Sequence, residues 1–141
     1  MSEKKYKQSH IPSITTSDIN YKDRAKFIKE YYTKNLQGKC IVNQHLALKI
    51  YFTSAGKYEL AYGRAPYLKK VAVIQCIAEL LEVAEYNNFG IRKENDPKPV
   101  LGYLNFKAKV IIDGKMESVR ISVLLKKDGK AYYNHEINTK K

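Results

Sequence analysis

Three cations stand at the start of an apolar helix pattern in the middle of the chain. The pattern predicts a helix over about residues 67–86, with Arg64 before it and Lys69 and Lys70 in its first turn. A helix start carries partial positive charge, so cations there are unfavourable unless they and the free N–H groups hold an anion. Two interpretations follow: a solvated basic cluster, or a helix start that binds a phosphate or carboxylate.

A β-meander predicted in the last third of the chain offers a second candidate site. Asp113-Gly114 is typical of a two-residue hairpin turn, which would pair Phe106 with Ile121 on an apolar face. The opposite face then carries Tyr103, Asn105, Lys107, Lys109, Ser118, Arg120, Ser122 and Leu124. Metal-free RNA cleavage needs an acid, a base and cations beside the developing phosphorane charge. This polar face is either a solvated sheet surface or a site for an RNA phosphodiester.

The availability of His135 depends on the turn at 127–130. A two-residue loop sets His135 beside Ser122 on the polar face, where the histidine would act as acid or base and Arg120 would stabilise charge. A three-residue loop with a bulge at Gly129 shifts the register by one residue. The polar face then receives Tyr132, Asn134 and Glu136, with Glu136 opposite Arg120, and the core receives Ala131, Tyr133 and Ile137. The bulged register is favoured because it places apolar residues opposite the apolar face of the hairpin. The sequence does not decide between the two registers.

Tyrosine is abundant, with 12 residues and no tryptophan. Several tyrosines interleave with basic residues: Tyr51, Tyr58, Tyr62, Tyr67, Tyr103, Tyr132 and Tyr133. Such a mixture suits stacking on unpaired bases while cations hold the backbone. Lys49, Lys107 and Tyr103 therefore join Arg64, Lys69 and Lys70 as candidate nucleic-acid or anion-binding residues.

The net charge of +12, from 26 Lys+Arg and 14 Asp+Glu, indicates a polyanionic partner. We expect RNA or single-stranded nucleic acid, with an acidic immunity or defence protein as a further partner. The sequence has no zinc spacing, glycine-rich phosphate loop or nucleophile elbow, so we expect no metal and no cofactor. Cys40 and Cys76 are interpreted as buried thiols of a cytoplasmic protein. No apolar run reaches the ~18 residues of a membrane span.

The expected organisation is a flexible lead-in over 1–16, one domain over 17–138 and a basic tail over 139–141. A first helix ends at Gly38, and two short strands follow before the helix predicted at 67–86. The predicted fold is α+β, with two main helices packed on a four- to five-stranded, mostly antiparallel sheet that ends in the β-meander.

From Tyr21 to Ile137, the order of elements resembles the large polyvalent protein-associated domains of phages and conjugative elements. It also resembles their barnase/EndoU/colicin/RelE-like (BECR) relatives. The resemblance rests on segments 31–38 (YYTKNLQG), 49–56 (KIYFTSAG), 80–82 (LLE) with Tyr86, 111–115 (IIDGK) and 128–133 (DGKAYY). It implies a helix-plus-sheet domain that in many relatives is a metal-independent ribonuclease toxin. The site candidates it implies are Lys49, Arg64, Lys69, Arg120 and His135.

The residues and the resemblance together predict an RNA-directed protein of a phage or mobile element. One form of this prediction is a metal-independent ribonuclease with His135, Arg120 and Ser122 in its site. The alternative is a non-catalytic accessory module that binds nucleic acid or protein, such as a factor that blocks a host defence.

Overall fold

The structure of the protein, a computed structural model, describes residues 6–16, 24–54, 68–91, 100–133 and 137–139. Three helices occur in these ranges: α1 Arg24–Asn35, α2 Leu68–Ile74 and α3 Ile77–Val83. Eight strands occur there as well: β1 Ser13–Ile14, β2 Cys40–Asn43, β3 Leu48–Phe52, β4 Glu85–Ile91, β5 Val100–Ile112, β6 Lys115–Lys126, β7 Ala131–Tyr133 and β8 Ile137–Thr139.

All eight described strands join in one mixed sheet. Its order is β1-β5-β6-β7-β3-β2, with β4 also paired to β5 and β8 also paired to β6. Two pairs are parallel, β1 with β5 and β3 with β7, and the other pairs are antiparallel. The prediction of two main helices on a four- to five-stranded, mostly antiparallel sheet is therefore wrong. Strands hold about half of the described residues and helices only about a quarter.

The helix predicted at 67–86 is two seven-residue helices joined by a turn. At this turn the Gln75 and Cys76 N–H groups donate to carbonyls three residues back, on Ala72 and Val73. Residues 71–74, 76 and 77 are all buried. Consecutive residues of a straight helix point to different sides, so a straight helix could not direct all of them towards one sheet. The break also places Glu79 in the first turn of α3, where the helix dipole favours a carboxylate.

The long β5–β6 hairpin forms in the predicted register. Asp113 and Gly114 have φ of 51° and 82°, as the predicted two-residue turn requires. Phe106 pairs with Ile121, and Lys107 pairs with Arg120 on the other face. The alternation of the sequence therefore decides which side chains of this hairpin reach the core.

The second turn takes the bulged form. The Lys126 N–H donates to the Lys130 carbonyl, and Gly129 has φ of 82°. Leu124 pairs with Tyr132, so Tyr132 faces the polar side while Ala131 and Tyr133 are buried. The chain shifts again before β8, where Asn138 pairs with Arg120, so the predicted pairing of Glu136 with Arg120 is wrong. Residues 134–136, with His135, lie outside the described ranges.

The first described residues lie along the edge of β5 that does not pair with β6, beyond the part paired with β4. The side-chain amide of Gln8 bonds both to the N–H and to the carbonyl of Lys109, at 2.8 Å each. Further along, the Ile111 N–H donates to the Pro12 carbonyl. The Thr16 N–H and hydroxyl both donate to the Asp113 carboxylate. Residues 6–16 are thus docked on the domain, while the mobility predicted for 1–16 stays a prediction.

The core lies between the helices and one face of the sheet. Its largest fully buried side chains include Tyr32, Phe52, Phe106 and Tyr133. Cys76 belongs to this core, but Cys40 is exposed, so the prediction that both thiols are buried is wrong for Cys40. Cys40 lies on the outward side of a short edge strand. The alternation of only four residues was too short to indicate from the sequence which side of the strand is buried. Within the described ranges, no helix is both long and apolar enough to cross a membrane.

Candidate nucleic-acid interface

We call the side of the sheet turned away from the helices the outer face. Alternate residues of each strand reach it, because their neighbours point into the core. Its described residues include Cys40, Val42, Lys49, Tyr51, Glu85, Asn88, Tyr103, Asn105, Lys107, Lys109, Ser118, Arg120, Ser122, Leu124, Lys126, Lys130 and Tyr132. Most of the predicted site residues that the structure describes therefore lie on one surface.

Two partly exposed tyrosines lie side by side on the outer face, and we call Tyr51 and Tyr132 the tyrosine pair. Parallel pairing of β3 with β7 sets them opposite each other, with ring centroids 5.8 Å apart. The Lys126 Nζ lies 4.8 Å from the Tyr132 ring centroid, and the Lys130 Nζ lies 5.6 Å from that of Tyr51. Both distances fall within the range of cation–π attraction.

A carboxylate fixes one member of the tyrosine pair. The Tyr132 hydroxyl donates to Asp128 Oδ2 at 2.6 Å, and Asp128 Oδ1 accepts from the Lys130 N–H at 2.8 Å. The hydrogen bond to Asp128 raises the pKa of Tyr132, and the same bond lowers the pKa of Asp128. The phenol therefore stays neutral over the physiological range, and its ring is held in place by the β6–β7 turn.

Three uncharged polar side chains form a line across β4, β5 and β6, which we call the amide row. The Ser122 Oγ donates to Asn105 Oδ1 at 2.7 Å, and Asn105 Nδ2 donates to Asn88 Oδ1 at 2.9 Å. A Cβ added at Gly90 would stand 3.2 Å from Asn105 Nδ2, so the glycine leaves room for this amide. The row is thus a built arrangement on three adjacent strands.

Cations lie beside the amide row, two residues further along the hairpin. Lys107 and Arg120 are directly opposite each other, and both are exposed. Like charges in such a pair destabilise a sheet by tenths of a kcal/mol up to about 1 kcal/mol. Glu85 offsets part of this repulsion, with its Oε1 3.8 Å from the Lys107 Nζ. Lys109 follows on the same face, and we call Lys107, Lys109 and Arg120 the cation cluster.

The structure brings together some of the predicted site residues and separates others. Arg120, Ser122 and Lys107 are neighbours, and Lys49 lies on the outer face two residues from Tyr51. Tyr103 also faces outward, but it is only 8% exposed in a small apolar cluster with Val100 and Leu124, so it offers no open stacking surface. For the predicted helix start, Arg64 lies outside the described ranges, as do the side chains of Lys69 and Lys70.

The two histidines that the structure describes lie away from the outer face. His10 Nε2 is 3.3 Å from Glu79 on α3. His45 Nδ1 accepts from the Tyr86 N–H at 2.9 Å, and its ring stacks on Tyr6. Among the described residues, no three of His, Cys, Asp and Glu gather in a way that would hold a metal ion. The described part of the outer face therefore offers binding groups rather than an acid–base pair.

Sequence reasoning missed part of this surface. It treated Tyr51 and Tyr132 as two of many tyrosines, and it did not single out Asn88, Lys126, Lys130 or Asp128. The bulged register was the one feature of the sequence that could have indicated this surface, because it turns Tyr132 to the polar face. The parallel pairing with β3 joins residues about 80 positions apart and left no local signal.

The described residues define a basic domain in which helices cover one face of a mixed sheet, and polar and basic side chains line much of the other face. This chain belongs to the large polyvalent protein-associated domain 3 family, whose match covers residues 19–133. The match confirms the resemblance to the large polyvalent protein-associated domains of phages and mobile elements. A relationship to the BECR fold stays a prediction. No curated protein and no solved structure matches the chain.

Proposed function

We propose that this domain binds single-stranded nucleic acid, RNA above all, on its outer face. The observation that carries the proposal is the tyrosine pair with the Lys126 and Lys130 ammonium groups over its rings, on the same surface as the cation cluster. Proteins that bind single strands combine aromatic side chains, on which bases stack, with cations that follow the phosphates.

The charges of the outer face favour an anionic ligand. Its described cations are Lys49, Lys107, Lys109, Arg120, Lys126 and Lys130, against the carboxylates Glu85 and Asp128. A phosphate between Lys107 and Arg120 would relieve their mutual repulsion, whereas without a ligand the pair costs stability. Phosphate contacts of this kind would supply most of the affinity and make it dependent on salt.

The tyrosine pair favours unpaired bases over a duplex. In a duplex the bases are already stacked on one another, so their faces cannot reach Tyr51 or Tyr132. An unpaired base can lie on either ring, with about 1–3 kcal/mol gained per stacked base. Lys126 and Lys130 are long enough to leave the rings and pair with the neighbouring phosphates.

Fluorescence anisotropy with a labelled single-stranded RNA at two salt concentrations tests the proposal. Affinity should fall with salt, with a log–log slope no steeper than about −4 if all six cations contact phosphates. Tyr132→Ala should weaken binding by about 1–3 kcal/mol, whereas Tyr132→Phe, which keeps the ring and loses the bond to Asp128, should bind nearly as wild type does. Lys34→Ala removes a cation from the exposed side of α1, away from the outer face, and should leave binding unchanged.

Two results would overturn the proposal. Absence of RNA binding at low salt would leave recognition of an acidic protein, such as a host-defence factor, as the function to test. Equal binding by Tyr132→Ala and Tyr132→Phe would show that the tyrosine pair is not the stacking surface.

A further inference from the structure

The outer face has three successive zones along the β5–β6 hairpin. Lys107 and Arg120 form the first, and Asn105 and Ser122 form the second. The buried pair Tyr103 and Leu124 forms the third, and Tyr132 of the tyrosine pair lies beside Leu124 on β7. Each zone lies two residues, or about 6.8 Å, from the next. The order from one end to the other is cation, uncharged hydrogen-bonding group, aromatic ring.

A nucleotide has the same order of chemistry, with phosphate, sugar and base in sequence. The first and third zones are about 13.6 Å apart, which is the span of about two nucleotides. A strand with one phosphate on the cation cluster and the base of the next nucleotide on the tyrosine pair would therefore pass a sugar over the amide row. We propose that the amide row contacts the ribose 2′-hydroxyl and makes the domain select RNA over DNA. This inference rests on the proposed function of the outer face and names the sugar that it takes.

The hydrogen-bonding capacity of the row suits a 2′-hydroxyl, which both donates and accepts. Ser122 Oγ donates to Asn105 and keeps its lone pairs, so it can accept the hydroxyl proton. Each amide carries two N–H groups, and Asn105 Nδ2 uses one of them towards Asn88. The row therefore offers an acceptor and a donor on adjacent strands. Because its members already bond to one another, little side-chain freedom is lost on binding.

The first test compares three ligands of one sequence on the wild-type protein: RNA, DNA with uracil in place of thymine, and 2′-O-methyl RNA. RNA should bind about 3- to 10-fold more tightly than the other two for each hydroxyl contacted, as expected for one net hydrogen bond. Equal affinity for RNA and uracil-containing DNA would refute this inference and leave the proposed function intact. Absence of binding to all three would refute the proposed function itself.

The second test assigns the preference to the row. Ser122→Ala should lower RNA affinity by about 3- to 10-fold and leave the affinity for uracil-containing DNA within about 2-fold. Ser118→Ala is the matched control, since Ser118 lies on the same strand and face beside Lys109, outside the row. If Ser122→Ala weakened RNA and DNA equally, the row would contact bases or phosphates, and the inference would be wrong. Thermal unfolding of each variant identifies any loss that comes from the fold.

Discussion

Asn43 is the buried polar residue on which the junction of sheet and helix layer depends. Its side chain is 0% exposed. Asn43 Nδ2 donates to the Leu81 carbonyl at 2.7 Å and to the Ala84 carbonyl at 3.0 Å, and Oδ1 accepts from the Leu46 N–H at 2.9 Å. One side-chain amide thus supplies hydrogen-bond partners both to the carbonyls at the end of α3 and to an N–H group in the turn after β2. We therefore expect a large loss of stability from Asn43→Asp, which replaces only the side-chain nitrogen by oxygen.

The magnitude follows from the two lost donors. Asn43→Asp keeps the shape but turns an oxygen towards the Leu81 and Ala84 carbonyls. Each buried carbonyl left without its donor costs about 1–3 kcal/mol, which gives a loss of about 2–6 kcal/mol at neutral pH. The new carboxyl should have a raised pKa, because burial disfavours its charge. The loss relative to wild type should therefore shrink as the pH falls and the carboxyl becomes a donor.

Urea unfolding followed by circular dichroism measures this loss, with Asn35→Asp as the control. Asn35 makes one comparable bond, from Nδ2 to the Tyr31 carbonyl at 3.1 Å, but it is only half-buried at the end of α1. We expect Asn35→Asp to cost less than about 2 kcal/mol, a single hydrogen bond plus an unfavourable charge at a helix end. If Asn43→Asp cost no more than the control, burial of the amide would not be the source of stability.

Three further predictions concern pH, thiols and catalysis. The hydrogen bonds from Thr16 lower the pKa of Asp113 in the folded protein. The stability that they add should be present above the ordinary carboxyl pKa of ~3.9 and lost as the pH falls through the lower pKa of the folded state. The unfolding midpoints of wild type and Thr16→Val should therefore converge in acid. Cys40 is exposed and should react with a disulfide reagent in the native protein, and Cys40→Ser should abolish this reaction. Burial and Glu79 raise the pKa of the Cys76 thiol to about 12, so Cys76 should react only on unfolding. If the domain cleaves RNA, it should do so in EDTA with a 2′,3′-cyclic phosphate product, and Arg120→Ala should slow cleavage by removing charge stabilisation from the phosphorane. The turn at 127–130 takes the bulged form and not the two-residue form that would set His135 beside Ser122. We therefore expect His135→Ala to leave the rate per folded molecule unchanged, and a loss of at least ~100-fold would contradict this expectation.

Local patterns in the sequence predicted the hairpin correctly. Asp113-Gly114 fixes the turn, and a one-residue slip would expose Phe106 and Ile121, so the register had only one stable solution. Gly129 lies at the bulge of the second turn, where the sequence favoured this register but left the two-residue alternative open. The cation cluster and two members of the amide row follow from these registers alone.

Elements that depend on distant partners could not be predicted in this way. The apolar run after Leu68 has the same periodicity whether it forms one helix or two. The break at Gln75 arises because side chains on several sides of the run are buried in the folded protein. Residues 85–91 lack alternation, yet they form β4, because the edge of β5 is available to them. The tyrosine pair needs the parallel β3–β7 pairing, which no local pattern specifies.

The β3–β7 pairing also constrains the order of events when the chain is made. In the described sheet, β2 and β3 connect to the other strands through β7, so residues 40–52 join the rest of the sheet only when Ala131–Tyr133 is in place. A ribosome releases the N-terminal part first, so α1, β2 and β3 must remain without a completed sheet until nearly the whole domain has emerged. Long-range pairings of this kind fold slowly, and unfinished strand edges associate easily. Synthesis of this domain should therefore end in one late, cooperative closing step rather than in a gradual build-up from the N-terminus.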